Sequence, residues 1–170
     1  MTSHQHSGLV RADNQFECRS FLKNAMVFVV CLVAVVSLYG CAINRASASV
    51  SPDVEFTQLM KFYVVRFGPD NRGTNKLITN QLNIMGYEAT TGPEDKAPNY
   101  VDAVVTYQDK WVWDITEYML ELDITFRNPK TNSLLAVGNS YHTSLSRESP
   151  GRMVREVLDN IFEKSKKGKE

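Results

Sequence analysis

The chain has 170 residues, and its 19 basic and 19 acidic side chains give a formal net charge of zero at neutral pH. The length suits one domain, and the balanced charge gives no electrostatic basis for binding nucleic acid. Of the three cysteines, Cys18 precedes an apolar N-terminal run, Cys31 lies within it, and Cys41 follows it. A chain that starts at Cys41 can therefore form no internal disulfide.

The N-terminal segment contains an uncharged apolar run, AMVFVVCLVAVVSL, from Ala25 to Leu38. This length fits the core of a secretion signal, which spans about 7–15 residues. If the run is extended to Ile43, it approaches the roughly 20 residues that a membrane-spanning helix needs. The segment is therefore a cleaved signal, a lipoprotein signal or an uncleaved single-pass anchor.

The order Leu38-Tyr39-Gly40-Cys41 resembles the bacterial lipobox. That motif places an aliphatic residue three positions before the cysteine and a small residue directly before it. Tyr39 departs from the pattern, which usually has a small residue there. The resemblance implies that residues 1–40 are a signal peptide cleaved between Gly40 and Cys41. It also implies a diacylglyceryl group on the Cys41 thiol and a further acyl chain such as palmitate on its amino group.

The residue that follows the cysteine is Ala42. In enterobacterial lipoproteins an Asp there retains the protein at the inner membrane. The resemblance therefore implies that Ala42 directs this protein to the outer membrane, on its periplasmic side. Several acyl chains on Cys41 would give stable attachment, whereas a single chain binds a membrane only marginally.

Three segments are expected after the signal. Residues 41–55 are small and polar without periodicity, which predicts a flexible tether behind the lipidated cysteine. Residues 56–164 form the globular domain. Residues 165–170 are rich in lysine, which predicts a basic disordered tail.

Alternating and helical patterns predict the element order β-α-β-β-β-β-α. The first helix is predicted within residues 71–86, where Asp70 or Asn71 caps its start and Gly86 ends it. The last helix starts with Ser149 as its cap and Pro150 in its first position. The last helix carries one apolar stripe: Met153, Val154, Val157, Leu158, Ile161 and Phe162. In the strand 118–127 the expected core face is Tyr118, Leu120, Leu122, Ile124 and Phe126.

These elements predict an α+β two-layer sandwich. A mainly antiparallel sheet of about five strands is covered on one face by two helices. The layout resembles that of uncharacterised bacterial envelope lipoprotein domains. The positions that carry this resemblance are Asp102, Val105, Tyr107, Asp123 and the turn Asn128–Asn132. The resemblance implies a fold and brings no activity with it.

The loop GPDNRGTNK, residues 68–76, follows a strand and opens a helix, as a phosphate-binding loop does. Thr74 stands where the motif requires lysine, and Asp70 would place a negative charge beside a phosphate. The loop is therefore interpreted as a capped turn.

Catalytic groups of familiar kinds are sparse after residue 41, so no catalytic residue, metal site or cofactor is predicted. A hydrolase that uses Asp114 and Glu117, or His142, is the alternative. His142 shares a strand face with Ser140, but neighbours two positions apart rarely form a catalytic pair.

The segment DKWVWD is the most unusual local feature. Trp111 and Trp113, with Tyr107 and the rim residue Lys110, are either core residues or a patch that binds an envelope protein or glycan. The function predicted from the sequence is a membrane-anchored, non-enzymatic binding or assembly module of the bacterial envelope. The oligomeric state is left open.

Overall fold

The computed structural model describes residues 26–30, 44–52, 54–68 and 70–167. Residues 26–30 are helical, and the chain divides into two compact units, Met1–Cys41 and Ala42–Glu170. The predicted lipobox and residues 168–170 lie outside the described residues. Within the described ranges, no helix is both long and apolar enough to cross a bilayer.

The second unit contains six strands and two long helices, numbered here in chain order. The strands are β1 Arg45–Val50, β2 Lys61–Val65, β3 Glu88–Gly92, β4 Ala103–Asp114, β5 Thr116–Arg127 and β6 Leu134–Tyr141. The helices are α1 Thr74–Ile84 and α2 Pro150–Lys167.

All six strands form one sheet in the order β1-β6-β5-β4-β2-β3. Strand β2 pairs in parallel with β3 and β4, and the other neighbours are antiparallel. Helix α2 packs on β1, β6 and β5, and α1 packs on β2, β3 and α2. The predicted α+β class with helices packed on a mainly antiparallel sheet is confirmed. The sheet has six strands rather than about five, and the two pairings of β2 are parallel.

The predicted tether is wrong for residues 45–50. These residues form β1, which pairs with β6 along its whole length from Arg45↔Tyr141 to Val50↔Ala136. The backbone of β1 completes the hydrogen bonding of β6, and Ala48 and Val50 pack against the core. A segment of small side chains can therefore become an edge strand without a strong local strand preference.

The predicted disordered tail is wrong for residues 165–167. Helix α2 continues to Lys167. The side chain of Ser165 is buried and donates a hydrogen bond to the Phe162 carbonyl, and the lysines around it stay exposed. Three lysines in the last turn also suit the negative end of the helix dipole.

Strand β5 contains a bulge that changes which residues face the core. The pairing passes from Lys110↔Glu121 to Trp111↔Met119, so Leu120 is an extra residue in β5. Met119 is fully buried, as are Leu122, Ile124 and Phe126 along the strand. The predicted core positions Tyr118 and Leu120 are only half-buried. The extra residue shifts the alternation of the side chains by one position, so Met119 rather than Leu120 shares the core face with Leu122.

The final helix follows the sequence prediction closely. The Ser149 hydroxyl accepts from the Arg152 N–H, the helix begins at Pro150, and all six residues of the apolar stripe are buried. The helix approaches the sheet closely at Gly138 in β6. A methyl group there would lie 2.8 Å from Val157 and 2.9 Å from Ile161.

We expect Gly138→Ala to lower the free energy of unfolding by about 1–3 kcal/mol, the usual cost of overfilling a packed core. The added methyl group would push α2 away from β6. Gly151→Ala is the matched control, because a methyl group at that exposed helical position meets nothing within 4 Å. It should leave the stability unchanged or raise it slightly. Urea unfolding of both variants tests this, and equal stabilities would contradict the close approach.

Candidate functional site

The hairpin of β4 and β5 extends beyond the rest of the sheet. Strand β2 pairs with β4 only along Ala103–Val105, and the last pair between β5 and β6 joins Glu121 to Tyr141. Among the described strands, Trp111–Asp114 and Thr116–Met119 therefore pair only with each other. A two-stranded ribbon of this kind is marginally stable by itself, so other contacts must hold it.

Two large apolar side chains are exposed at the tip of this hairpin. Trp113 is 77% exposed and Ile115 is 84% exposed. Ile115 is the only residue between the two strands, and its φ of 60° is in the left-handed region. That conformation is unusual for a β-branched residue, and it persists only where the surrounding structure imposes it.

Arg147, from the loop after β6, holds one side of the tip. Its guanidinium donates to the Thr116 hydroxyl at 2.6 Å, and to the Asp114 carbonyl at 2.6 Å and carboxylate at 3.1 Å. Its Nε donates to the Ser144 carbonyl at 3.1 Å, and its guanidinium carbon lies 4.4 Å from the centre of the Tyr118 ring. The planar guanidinium thus links the loop to both strands.

Arg72, from the loop before α1, holds the other side. It forms an ion pair with Glu117, and its guanidinium carbon lies 4.4 Å from the centre of the Trp111 ring. The indole N–H of Trp111 donates to Asp109 at 3.0 Å, and the same carboxylate oxygen accepts the Thr74 hydroxyl at 2.7 Å. The start of α1 is therefore fixed to β4, and Trp111 is part of this connection.

Asp70 organises the loop that carries Arg72. Its carboxylate accepts the N–H groups of Arg72 and Gly73 at 2.8 Å each and that of Asn75 at 3.3 Å. It also accepts the Tyr107 hydroxyl at 2.5 Å. Burial alone would raise the pKa of Asp70, but these hydrogen bonds hold the pKa below its usual value.

The phosphate-loop resemblance of residues 68–76 is thereby explained. The N-cap residue of α1 is Gly73, with a φ of 73°, rather than the predicted Asp70 or Asn71. Asp70, three residues before Gly73, instead accepts the N–H groups of Gly73 and, within the first turn, Asn75. The protein's own carboxylate occupies the place where an anion would bind.

The four residues of the predicted aromatic patch do not form one surface. Tyr107 is buried, and burial together with its hydrogen bond to Asp70 raises the pKa of its hydroxyl. Trp111 is half-buried, and Lys110 is exposed but lies on the opposite strand face by alternation. Of the three aromatic residues in the predicted patch, Trp113 is the exposed one, and Ile115, two residues later, is exposed as well.

His142 and Ser140 are held by a carboxylate that the sequence analysis did not identify. Glu156 in α2 accepts the Ser140 hydroxyl at 2.6 Å and lies 2.8 Å from His142 Nε2. The other ring nitrogen lies 3.1 Å from the Ser146 carbonyl. The Ser140 hydroxyl is fully buried and donates to Glu156, so this group connects β6 to α2 and offers no exposed nucleophile.

The two carboxylates of the alternative hydrolase site are each paired with an arginine. Asp114 is bound by Arg147 and Glu117 by Arg72, and His142 is bonded elsewhere. Each carboxylate of the proposed pair therefore has its own arginine partner, and the alternative residue His142 has Glu156 as its partner. Within the described part of the chain, no group of three or more His, Cys, Asp or Glu side chains could hold a metal ion.

Comparison with known proteins gives information about the fold alone. No family model matches the sequence, and no curated protein matches it. Two crystal structures of a PelC dodecamer from Paraburkholderia phytofirmans, one of them a point variant, each superpose with a TM-score of 0.51. They share 10% and 11% sequence identity, cover 69% and 70% of this chain, and are themselves covered to 96% and 98%.

We expect Asp70→Ala to lower the free energy of unfolding by about 1–2 kcal/mol at neutral pH, because backbone N–H groups and the Tyr107 hydroxyl lose their acceptor. The folded-state pKa of Asp70 is lowered, so its contribution is complete above about pH 4, its unfolded value. The contribution is lost as the pH falls through the folded value. The difference between wild type and variant should therefore shrink in acid.

Urea unfolding at several pH values checks this expectation. The exposed Asp95 supplies the control substitution Asp95→Ala, which should have a small effect at every pH. A difference between wild type and Asp70→Ala that stays constant from neutral to strongly acidic pH would contradict the role of the ionised carboxylate.

Proposed function

We propose that this protein is a lipid-anchored, non-enzymatic assembly module of the bacterial envelope. In this proposal, residues 1–40 are removed and lipid on Cys41 attaches the chain to the outer membrane, facing the periplasm. The lipobox resemblance of Leu38–Cys41 is the sequence basis for it.

One structural observation carries the proposal. The boundary between the two compact units falls between Cys41 and Ala42, beside the residue at which the lipobox would be processed. Every numbered strand and helix lies after that position, starting with β1 at Arg45. Cleavage before Cys41 would therefore leave all of these elements together.

The fold comparison supports an assembly role over a solitary one. The PelC structures are described as dodecamers, and almost their whole length superposes on this chain. We propose by this analogy that the partner is a set of further copies of the same chain.

The anchoring part of the proposal is tested by an intact mass of the protein purified from bacterial membranes. We expect the wild-type mass to lack residues 1–40 and to include acyl chains. A Cys41→Ala variant should stay unprocessed, because its thiol is missing. An uncleaved wild-type chain would contradict the lipoprotein proposal and favour a single-pass anchor.

The assembly part is tested by native mass spectrometry of the lipidated protein released in mild detergent. We expect a closed oligomer of defined copy number, because repeated identical contacts close into rings or other symmetric assemblies. A monomer at all concentrations would overturn self-assembly. Cross-linking in envelope extracts would then search for a different partner.

A further inference from the structure

The end of the sheet that carries the exposed hairpin tip is also the end at which the chain enters the domain. Arg45 at the start of β1 pairs with Tyr141, which in turn pairs with Glu121 in β5. Strands β1 and β5 run in the same direction because both are antiparallel to β6. Cys41 is therefore connected to the same end of the sheet as Trp113 and Ile115.

The covalent distance from Cys41 to β1 is short. Arg45 is only four positions after Cys41 in the sequence, and a fully extended chain spans at most about 14 Å over four such steps. Along β4, which has no extra residue, Ile115 lies five residues beyond Lys110, the partner of Glu121, or about 17 Å along an extended strand. The hairpin tip thus extends as far from the sheet as Cys41 can reach, or several ångströms farther.

The side chains at the tip suit the interface of a bilayer. Tryptophan concentrates at that interface because its large apolar ring carries one polar N–H group. Trp113 and Ile115 are both more than three-quarters exposed, and Leu145, in the loop after β6, is 82% exposed. The Arg147 contacts connect this loop to the hairpin tip.

Charge at the tip is balanced within the protein. Arg147 pairs with Asp114 and Arg72 pairs with Glu117. Both pairs also fix the hairpin from its two sides, so the apolar side chains are presented in an ordered conformation before any contact with a membrane. Attraction to anionic lipid is not needed for such a contact.

From the shared end and the short connection, we propose that Trp113 and Ile115 insert into the headgroup region of the bilayer to which Cys41 is anchored. The occupant of this surface is a phospholipid bilayer. The inference rests on the proposed attachment near Cys41, and it adds a second contact point that fixes the orientation of the domain.

The experiment uses the membrane-purified protein reconstituted into phosphatidylcholine vesicles whose acyl chains are brominated near the headgroup. The chain has two tryptophans, so Trp111→Phe leaves Trp113 as the only indole and Trp113→Phe leaves Trp111. We expect a blue shift and a loss of most of the Trp113 emission to the bromines. The Trp111 emission should change little.

A matched pair of variants checks that the tip itself is responsible. In the Trp111→Phe background, Ile115→Ser should weaken the quenching of Trp113. Ile84→Ser should not, although Ile84 is a similarly exposed isoleucine (71%), on α1. Adding anionic phospholipid should not increase the quenching.

Flotation of the vesicles and the intact mass separate the two proposals. Protein that floats and carries acyl chains, but whose Trp113 emission matches that in unbrominated vesicles, would overturn the insertion while leaving the lipoprotein proposal intact. Protein that floats uncleaved with Trp113 quenched would support the insertion and overturn the lipoprotein proposal. Protein that does not float would overturn both.

Discussion

The antiparallel pairing of β4 with β5 is the interaction on which the rest of the structure depends. These two 12-residue strands are the longest in the sheet and lie at its centre. Their buried side chains form the middle of the core, and their outer edges receive β2 and β6. Because both neighbours are shorter, the same pairing that builds the core also creates an overhang, and the exposed tip follows from that difference in length.

The part of the hairpin that extends beyond its neighbouring strands has little stability of its own, and two arginines stabilise it. An isolated hairpin is marginally stable in water, and β2 pairs with β4 only as far as Val105 while β6 pairs with β5 only as far as Glu121. Arg72 and Arg147 each combine a carboxylate partner with an aromatic ring of the hairpin. A lysine could replace the charge but not the planar stacking or the several directed hydrogen bonds. The arrangement therefore depends on arginine.

The sequence predicts those parts of the fold that local patterns control. The stripe of α2, its Ser149 start and the left-handed Gly86 after α1 all rest on signals within a few residues, and each is present. Strand β1 could not be predicted, because RASASV has little strand preference and gains its hydrogen bonds only from β6. The bulge at Leu120 could not be predicted either, because an alternating sequence does not show where a strand contains one extra residue.

The candidate site was predicted only at Trp113. Trp111 has the same residue type and strand face, yet Asp109 and Arg72 hold it half-buried. The hairpin turn exposes Ile115 instead. Arg72 and Arg147 were missed because they reach the hairpin from loops 45 and 31 residues away in the sequence from their partners Glu117 and Thr116. Contacts of that separation arise from the topology of the sheet, which no local pattern specifies.

The strand β1 also changes what an anchor at Cys41 would do. A flexible tether of a dozen residues would let the domain rotate freely above the membrane, whereas a short connection to a sheet edge restricts it. Attachment at Cys41 would hold the tip at a high effective concentration beside the bilayer, so a small apolar contact would suffice for docking. The opposite end of the sheet, with the exposed ring of Tyr100 near Lys61, would then face away from the membrane. Two attachment points at one end would thus leave the other end free for contacts with neighbouring molecules.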